Sequence, residues 1–191
     1  MYFPDDMTFQ YFFFDTYPGY FLQMLPFALF VGALYGFIKF HKDRETPALR
    51  KVMSVMLVCY ITGLVGLVAL LDVVGSFWYK LIYHMDSLRT IEFFSGEFNL
   101  VPDFFNHLRG ETIANLAMFV PFGILYPLSR RSSSWKATMI AGVMCTVAIE
   151  ILQPIFGRAF DINDIIMNTM GVLLAATIFF GVKRITTAKK N

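Results

Sequence analysis

The stretch VMSVMLVCYITGLVGLVALL, residues 52–71, carries no ionisable carboxylate, amine or guanidine. Its length meets the roughly 20 apolar residues that a helix needs to cross a hydrocarbon core. A soluble helix of that length needs a polar face, and this one has none. Working outward, four further stretches read the same way: Tyr20–Ile38 before it, and Thr112–Leu128, Ala137–Gln153 and Ile165–Val182 after it. Thr112–Leu128 holds Asn115, Pro121, Gly123 and Pro127, and Ala137–Gln153 holds Glu150. These two are short and polar, so hydropathy alone identifies them least securely.

Charge distribution supports all five. All but four of the 16 Lys and Arg fall in the loop Lys39–Lys51, the loop Arg130–Lys136 and the tail from Lys183 onward. The exceptions are Lys80, Arg89, Arg109 and Arg158. Five spans put the three basic segments on one side; omitting the third or fourth span scatters them. Cytoplasmic loops are enriched in Lys and Arg, which predicts an extracellular N-terminus and a cytoplasmic C-terminus. Of the acids, only Asp43 and Glu45 fall on the basic side.

Composition agrees. The chain of 191 residues is 57% hydrophobic and 16% charged, against about 25% charged in ordinary soluble domains. A small soluble fold cannot hide so much apolar surface, whereas lipid accepts it. Cys59 and Cys145 lie in apolar runs and read as buried free thiols. The N-terminal MYFPDDMTFQ has no basic region and does not read as a cleaved signal peptide. With no repeat and no Gly/Ser or Pro-rich linker, residues 1–191 read as one membrane domain of all-α architecture.

Small residues mark helix contacts: Gly32 and Gly36 in the first span, Gly171 and Ala175 in the fifth. They read as packing positions. Pro121 is expected to bend the third span and Gly123 to admit a neighbour closely. Between the second and third spans, Phe77, Trp78, Leu81, Ile82, Met85, Leu88 and Ile91 recur at helical spacing. Lys80, His84, Asp86, Ser87 and Arg89 lie between them. Ser76–Phe94 therefore predicts an amphipathic helix in the outer interface, the alternative being a helix packed over the bundle.

Polar side chains in or beside a membrane are expensive, so their clustering points to function. Glu150 and Gln153 share a face at the outer end of the fourth span, which Pro154 ends. Gly157 and Arg158 follow in the connecting loop. Asp161, Asp164 and Asn168 fall on one face at the start of the fifth span, and Asn115 sits in the outer turn of the third. Plain structural readings exist for several. Asp161 fits a helix N-cap and Asp164 the third helical position, where carboxylates are favoured. Arg158 could pair with Asp161 or Glu150. A cap does not account for Glu150.

Three stretches carry a family resemblance: NLVP (Asn99–Pro102), NLAMFVPFG (Asn115–Gly123) and EILQPIFGRAFDINDIIMNTMG (Glu150–Gly171). In order and spacing they resemble the VanZ family, whose pattern is Asn-x₃-Phe-x-Pro-Phe-Gly, Glu-x₂-Gln, Arg-x₂-Asp-x₂-Asp and Asn-x₂-Gly. The likeness runs over residues 97–181. One departure is Asp103, where the family commonly has Phe after the first Pro; it bears on the packing of that loop. The resemblance implies a bacterial multi-pass membrane protein linked to low-level resistance to glycopeptide antibiotics, teicoplanin in particular. It supplies no biochemical mechanism.

Two functional readings follow. In the first, an envelope protein lowers teicoplanin action through an outward-facing polar site, its partners being the bilayer and lipid-linked cell-wall precursors or the lipoglycopeptide itself. Asn115, Gln153 and Asn168 would bind. In the second, a membrane hydrolase or transferase acts on a lipid-linked envelope molecule. Glu150 would be the general base, Arg158 would hold a phosphate or carboxylate, and Asp161 and Asp164 would complete the site. Those two aspartates would also be the residues to hold a hard cation, but no metal or cofactor is assigned. Serine-hydrolase, zinc-protease, P-loop and dinucleotide motifs are absent from the sequence, and no nucleic-acid partner is expected. A transporter fits less well, because the polar residues lie near one surface and not at the midplane.

Overall fold

A computed structural model describes residues 8–85, 93–103 and 110–188. Seven α-helices occur among them: α1 (Phe9–Asp15), α2 (Tyr17–Lys42), α3 (Ala48–Ala69), α4 (Leu71–Tyr83), α5 (Gly110–Ser129), α6 (Trp135–Leu152) and α7 (Ile162–Ala188). Five of them are long and apolar enough to cross a membrane: α2, α3, α5, α6 with the turn that follows it, and α7. These are the five stretches read from the sequence, each extended at one or both ends by polar or charged turns that hydropathy trims away.

Helix starts follow local chemistry. Thr16 caps α2, its Oγ1 accepting from the Gly19 amide at 3.2 Å. Ser134 caps α6 through the Ala137 amide at 3.2 Å. In each case a hydroxyl satisfies an amide that the first helical turn leaves unpaired. The α-helical part of α6 stops at Leu152, before Pro154, and the chain makes one 3₁₀ turn over Gln153–Phe156. Gly157 closes that turn at φ 77°, a left-handed conformation that favours glycine.

Packing joins two pairs into one bundle. α2 lies along α3, α5 lies most extensively along α7, α3 touches α5, and α6 packs on α7. Leu57, Leu64, Phe119, Phe122, Ile149 and Val172 form the shared core. The small residues sit on these seams. A Cβ on Gly32 would meet the Cys59 sulfur, and one on Gly36 would lie 3.2 Å from Val55. Gly171 abuts the Leu116 carbonyl. Both seams lie inside the chain. Cys59 and Cys145 are free and only partly buried.

Helix α4 starts at Leu71, five residues before the amphipathic segment expected from Ser76. Of these five, only Leu71 falls in the second span read from the sequence. The backbone breaks at Leu70, which leaves the helical region with φ −114° and ψ 12°. Trp78 donates its indole N–H to the Gln23 carbonyl at 2.9 Å and stacks edge-on against Phe27, so α4 leans on α2. The helix expected through Phe94 stops at Tyr83, where His84 takes a left-handed φ of 55°; Phe93 and Phe94 lie in a turn, and 86–92 lie outside the described residues.

Among the described residues one strand pair interrupts the helices. β1 (Phe98–Asn99) and β2 (Phe160–Asp161) form a two-residue parallel ladder, with Phe98 opposite Phe160 and Asn99 opposite Asp161. It ties the segment before α5 to the start of α7. Gly96 permits this, since a Cβ there would collide with the Arg158 carbonyl and with Pro154.

Candidate functional site

The end of α6, the 3₁₀ turn, β2 and the first turns of α5 and α7 meet at one end of the bundle. The basic loop Arg130–Lys136 and the basic tail are at the other ends of these same helices. The Gly157 turn reverses the chain, the Arg158 amide returning to the Gln153 carbonyl at 3.0 Å. The ladder then carries Asp161 back over Glu150.

Glu150 is 1% exposed. Its Oε1 accepts from the Gln153 side-chain amide at 2.7 Å, and its Oε2 from the Asp161 backbone amide at 3.3 Å. Arg158, Asp161 and Asp164 are its charged neighbours. Buried carboxylates persist where donors satisfy their oxygens, and here amides supply them.

Asp161 is the N-cap of α7. Its Oδ1 accepts from the Asn163 backbone amide at 2.8 Å and from the Asn163 side chain at 2.8 Å. Its Oδ2 accepts from Asn99 at 3.2 Å. Asn163 is also the hub for the incoming loop. Its Oδ1 accepts from the Asp103 amide at 2.9 Å, and its Nδ2 donates to the Asp103 carboxylate at 2.9 Å. The departure from the family pattern at Asp103 is thus matched by a reciprocal pair with α7.

Asp164 stands one turn on, in the first turn of α7, and accepts from the Asn115 side chain of α5. Deeper still, Asn168 is 4% exposed and donates to Thr146 Oγ1 of α6 at 3.0 Å. Its Oδ1 has no hydrogen-bond partner among the described residues. That oxygen is an open acceptor in an apolar interior.

Of the expected site residues, Glu150, Gln153 and Asp161 come together. Asp164 joins Asn115, and Asn168 joins Thr146. Arg158 is half-buried and, among the described residues, forms no ion pair with Glu150 or Asp161. Arg158, Asp161 and Asp164 thus surround Glu150 as charged neighbours, Asp161 alone bonding to it, through its backbone amide. Asp161 and Asp164 each spend oxygens on asparagine donors, and among the described residues no three His, Cys, Asp or Glu side chains are placed to hold a metal ion. Thr146 and Asn163 are not among the expected site residues, and Asn99 and Asp103 enter only through the family pattern. Asn163 gave a signal, standing between two aspartates of the motif; Thr146 gave none, being a hydroxyl within an apolar helix.

A family model described as VanZ/LLP1 matches residues 27–184 of the chain. Protein VanZ of Enterococcus faecium is 28% identical over 102 residues, 53% of this chain and 62% of that protein. The chain thus aligns with less than two thirds of that relative. No solved structure matches.

Proposed function

The chain belongs to the VanZ/LLP1 family, and on that premise we propose that it confers or modulates low-level resistance to glycopeptide antibiotics, teicoplanin in particular, from the bacterial cell membrane. The working part is the polar cluster of Glu150, Gln153, Arg158, Asp161, Asp164, Asn115 and Asn168. The observation that carries this reading is that the motif residues bond to one another across α5, α6 and α7 at the end away from the basic loops. The positive-inside bias supports an extracellular position for that end, where cell-wall precursors and antibiotic meet. Residues 1–191 act as one membrane domain in this reading, with 97–181 as its functional core. Helix α4 would lie in the outer interface; Phe77 and Leu81, both more than half exposed, support that.

The rival reading, a hydrolase or transferase with Glu150 as base, has weaker support. Both oxygens of Glu150 are engaged, and the group is sealed from solvent. A general base must reach the proton it removes.

The test is teicoplanin susceptibility in a sensitive Gram-positive host expressing wild type or Glu150→Gln at matched membrane levels. Wild type is expected to raise the inhibitory concentration. Loss of protection in the variant assigns a function to the carboxylate, and equal protection removes it from the mechanism. Absence of protection by wild type overturns the resistance assignment.

A further inference from the structure

At the end of the bundle opposite the polar cluster, a groove of about 910 Å³ opens between α3, α5 and α7. Its two halves differ in chemistry. Arg50, Arg130, Arg131 and Lys183 stand around the rim, with Ser132 and Ser133 beside them. Below the rim the walls are hydrocarbon: Val120, Ile124, Ile178 and Phe179 carry the groove toward the middle of the spans. Among the described residues, none of the four cations forms an ion pair. The first turn of α3 also lines the rim and has no side-chain cap. A helix start adds positive potential and donors for an anion.

We infer that this groove binds one anionic glycerophospholipid from the adjoining leaflet, its phosphate held by Arg50, Arg130, Arg131 and Lys183 and an acyl chain lying along α5 and α7. Cations on loops could serve topology alone, but topology is indifferent to their position around the helix ends. Lys42 and Arg44 belong to the same basic side and lie off the groove. The four rim residues come from three separate segments of chain and gather where an apolar channel begins. Basic pockets between membrane helices recognise acidic headgroups in this way, and guanidinium suits the phosphate. The apolar walls favour a lipid over a soluble phosphate, because hydrocarbon contact is open only to a ligand with a tail.

The experiment is native mass spectrometry of the detergent-purified full chain, titrated with phosphatidylglycerol or with phosphatidylcholine of the same acyl chains. A single phosphatidylglycerol adduct is expected, with affinity higher than for phosphatidylcholine by about tenfold or more. The variant Arg130→Gln/Arg131→Gln/Lys183→Gln should bring the two lipids level. The charge-matched control Lys42→Gln/Arg44→Gln/Lys136→Gln should retain the preference. Ile178 is 67% exposed, so Ile178→Trp should leave the fold intact, fill the channel and abolish the adduct with all four cations in place. Equal wild-type affinity for both lipids overturns the inference. So does an equal loss in the control, a retained adduct in Ile178→Trp, or equally tight binding of glycerol 1-phosphate without lipid.

Discussion

Asp161 joins three segments through one residue. Its carboxylate caps α7 at Asn163 and holds Asn99, while its backbone amide supplies the second donor to Glu150. Asp161→Ala removes the cap and the acceptor of the half-buried Asn99 amide, while the Asn163 side chain keeps Asp103. A loss of about 1–2 kcal/mol is expected, from a cap at about 1 kcal/mol and a lost hydrogen bond at about 0.5–1.5. It should appear as a drop of several degrees in the thermal midpoint of the detergent-solubilised protein. Asn163→Asp should lower that midpoint further than Asn163→Ala, because it sets a third carboxylate against Asp103 and Asp161 where an amide donor stood. Glu150→Gln should be mild, within about 1 kcal/mol, since two facing amides can bond by turning one of them. Glu150→Ala leaves two donors unpaired and a void, and should cost about 2–4 kcal/mol. That contrast makes the glutamine variant a test of charge and not of folding.

Among the elements, glycine decides how closely α5, α6 and α7 approach. A Cβ on Gly123 would lie 2.6 Å from the Ala175 Cβ and 2.9 Å from the Ala176 backbone nitrogen. One on Gly142 would lie 2.7 Å from a Val172 methyl. A Cβ on Gly181 meets nothing within 4 Å. Gly123→Ala should therefore destabilise by about 1–3 kcal/mol, the usual penalty of overpacking a rigid contact. Gly181→Ala should be neutral or stabilising by up to about 1 kcal/mol, the helix propensity gained. Fluorescence-detected size-exclusion chromatography after a heat challenge separates the two, and equal behaviour would refute the seam. Both patterns of small residues were legible in the sequence. Their partners were not, because spacing along one helix says nothing about which neighbour fills the groove.

For the whole molecule, the orientation drawn from the basic residues makes a direct prediction. In a Cys59→Ser/Cys145→Ser background, Ala159→Cys should react with a membrane-impermeant maleimide in intact cells. Ser132→Cys and Thr187→Cys should react only after permeabilisation. The reverse pattern inverts the topology and with it the proposed outer position of the polar cluster.

Five membrane-length helices, their boundaries to within a few residues and the Asp161 cap could all be read from residues 8–188, because they depend on local sequence. A lipid core demands runs of apolar side chains, and helix starts demand particular caps. The family pattern, too, is a matter of order and spacing along the chain. What the chain order could not reveal is contact between distant segments. Asn99 pairing with Asp161 and Asp103 meeting Asn163 arise only when the loop before α5 folds back onto α7, and the break at Leu70 inside an apolar run accompanies the leaning of α4 on α2. The same holds for Arg158, whose charge suggested an ion pair with Glu150 or Asp161 that it does not form among the described residues, and for the basic rim, where three cationic segments become one groove. Side chains far apart in sequence acquire a common environment only through packing, and that was decided by the tertiary structure.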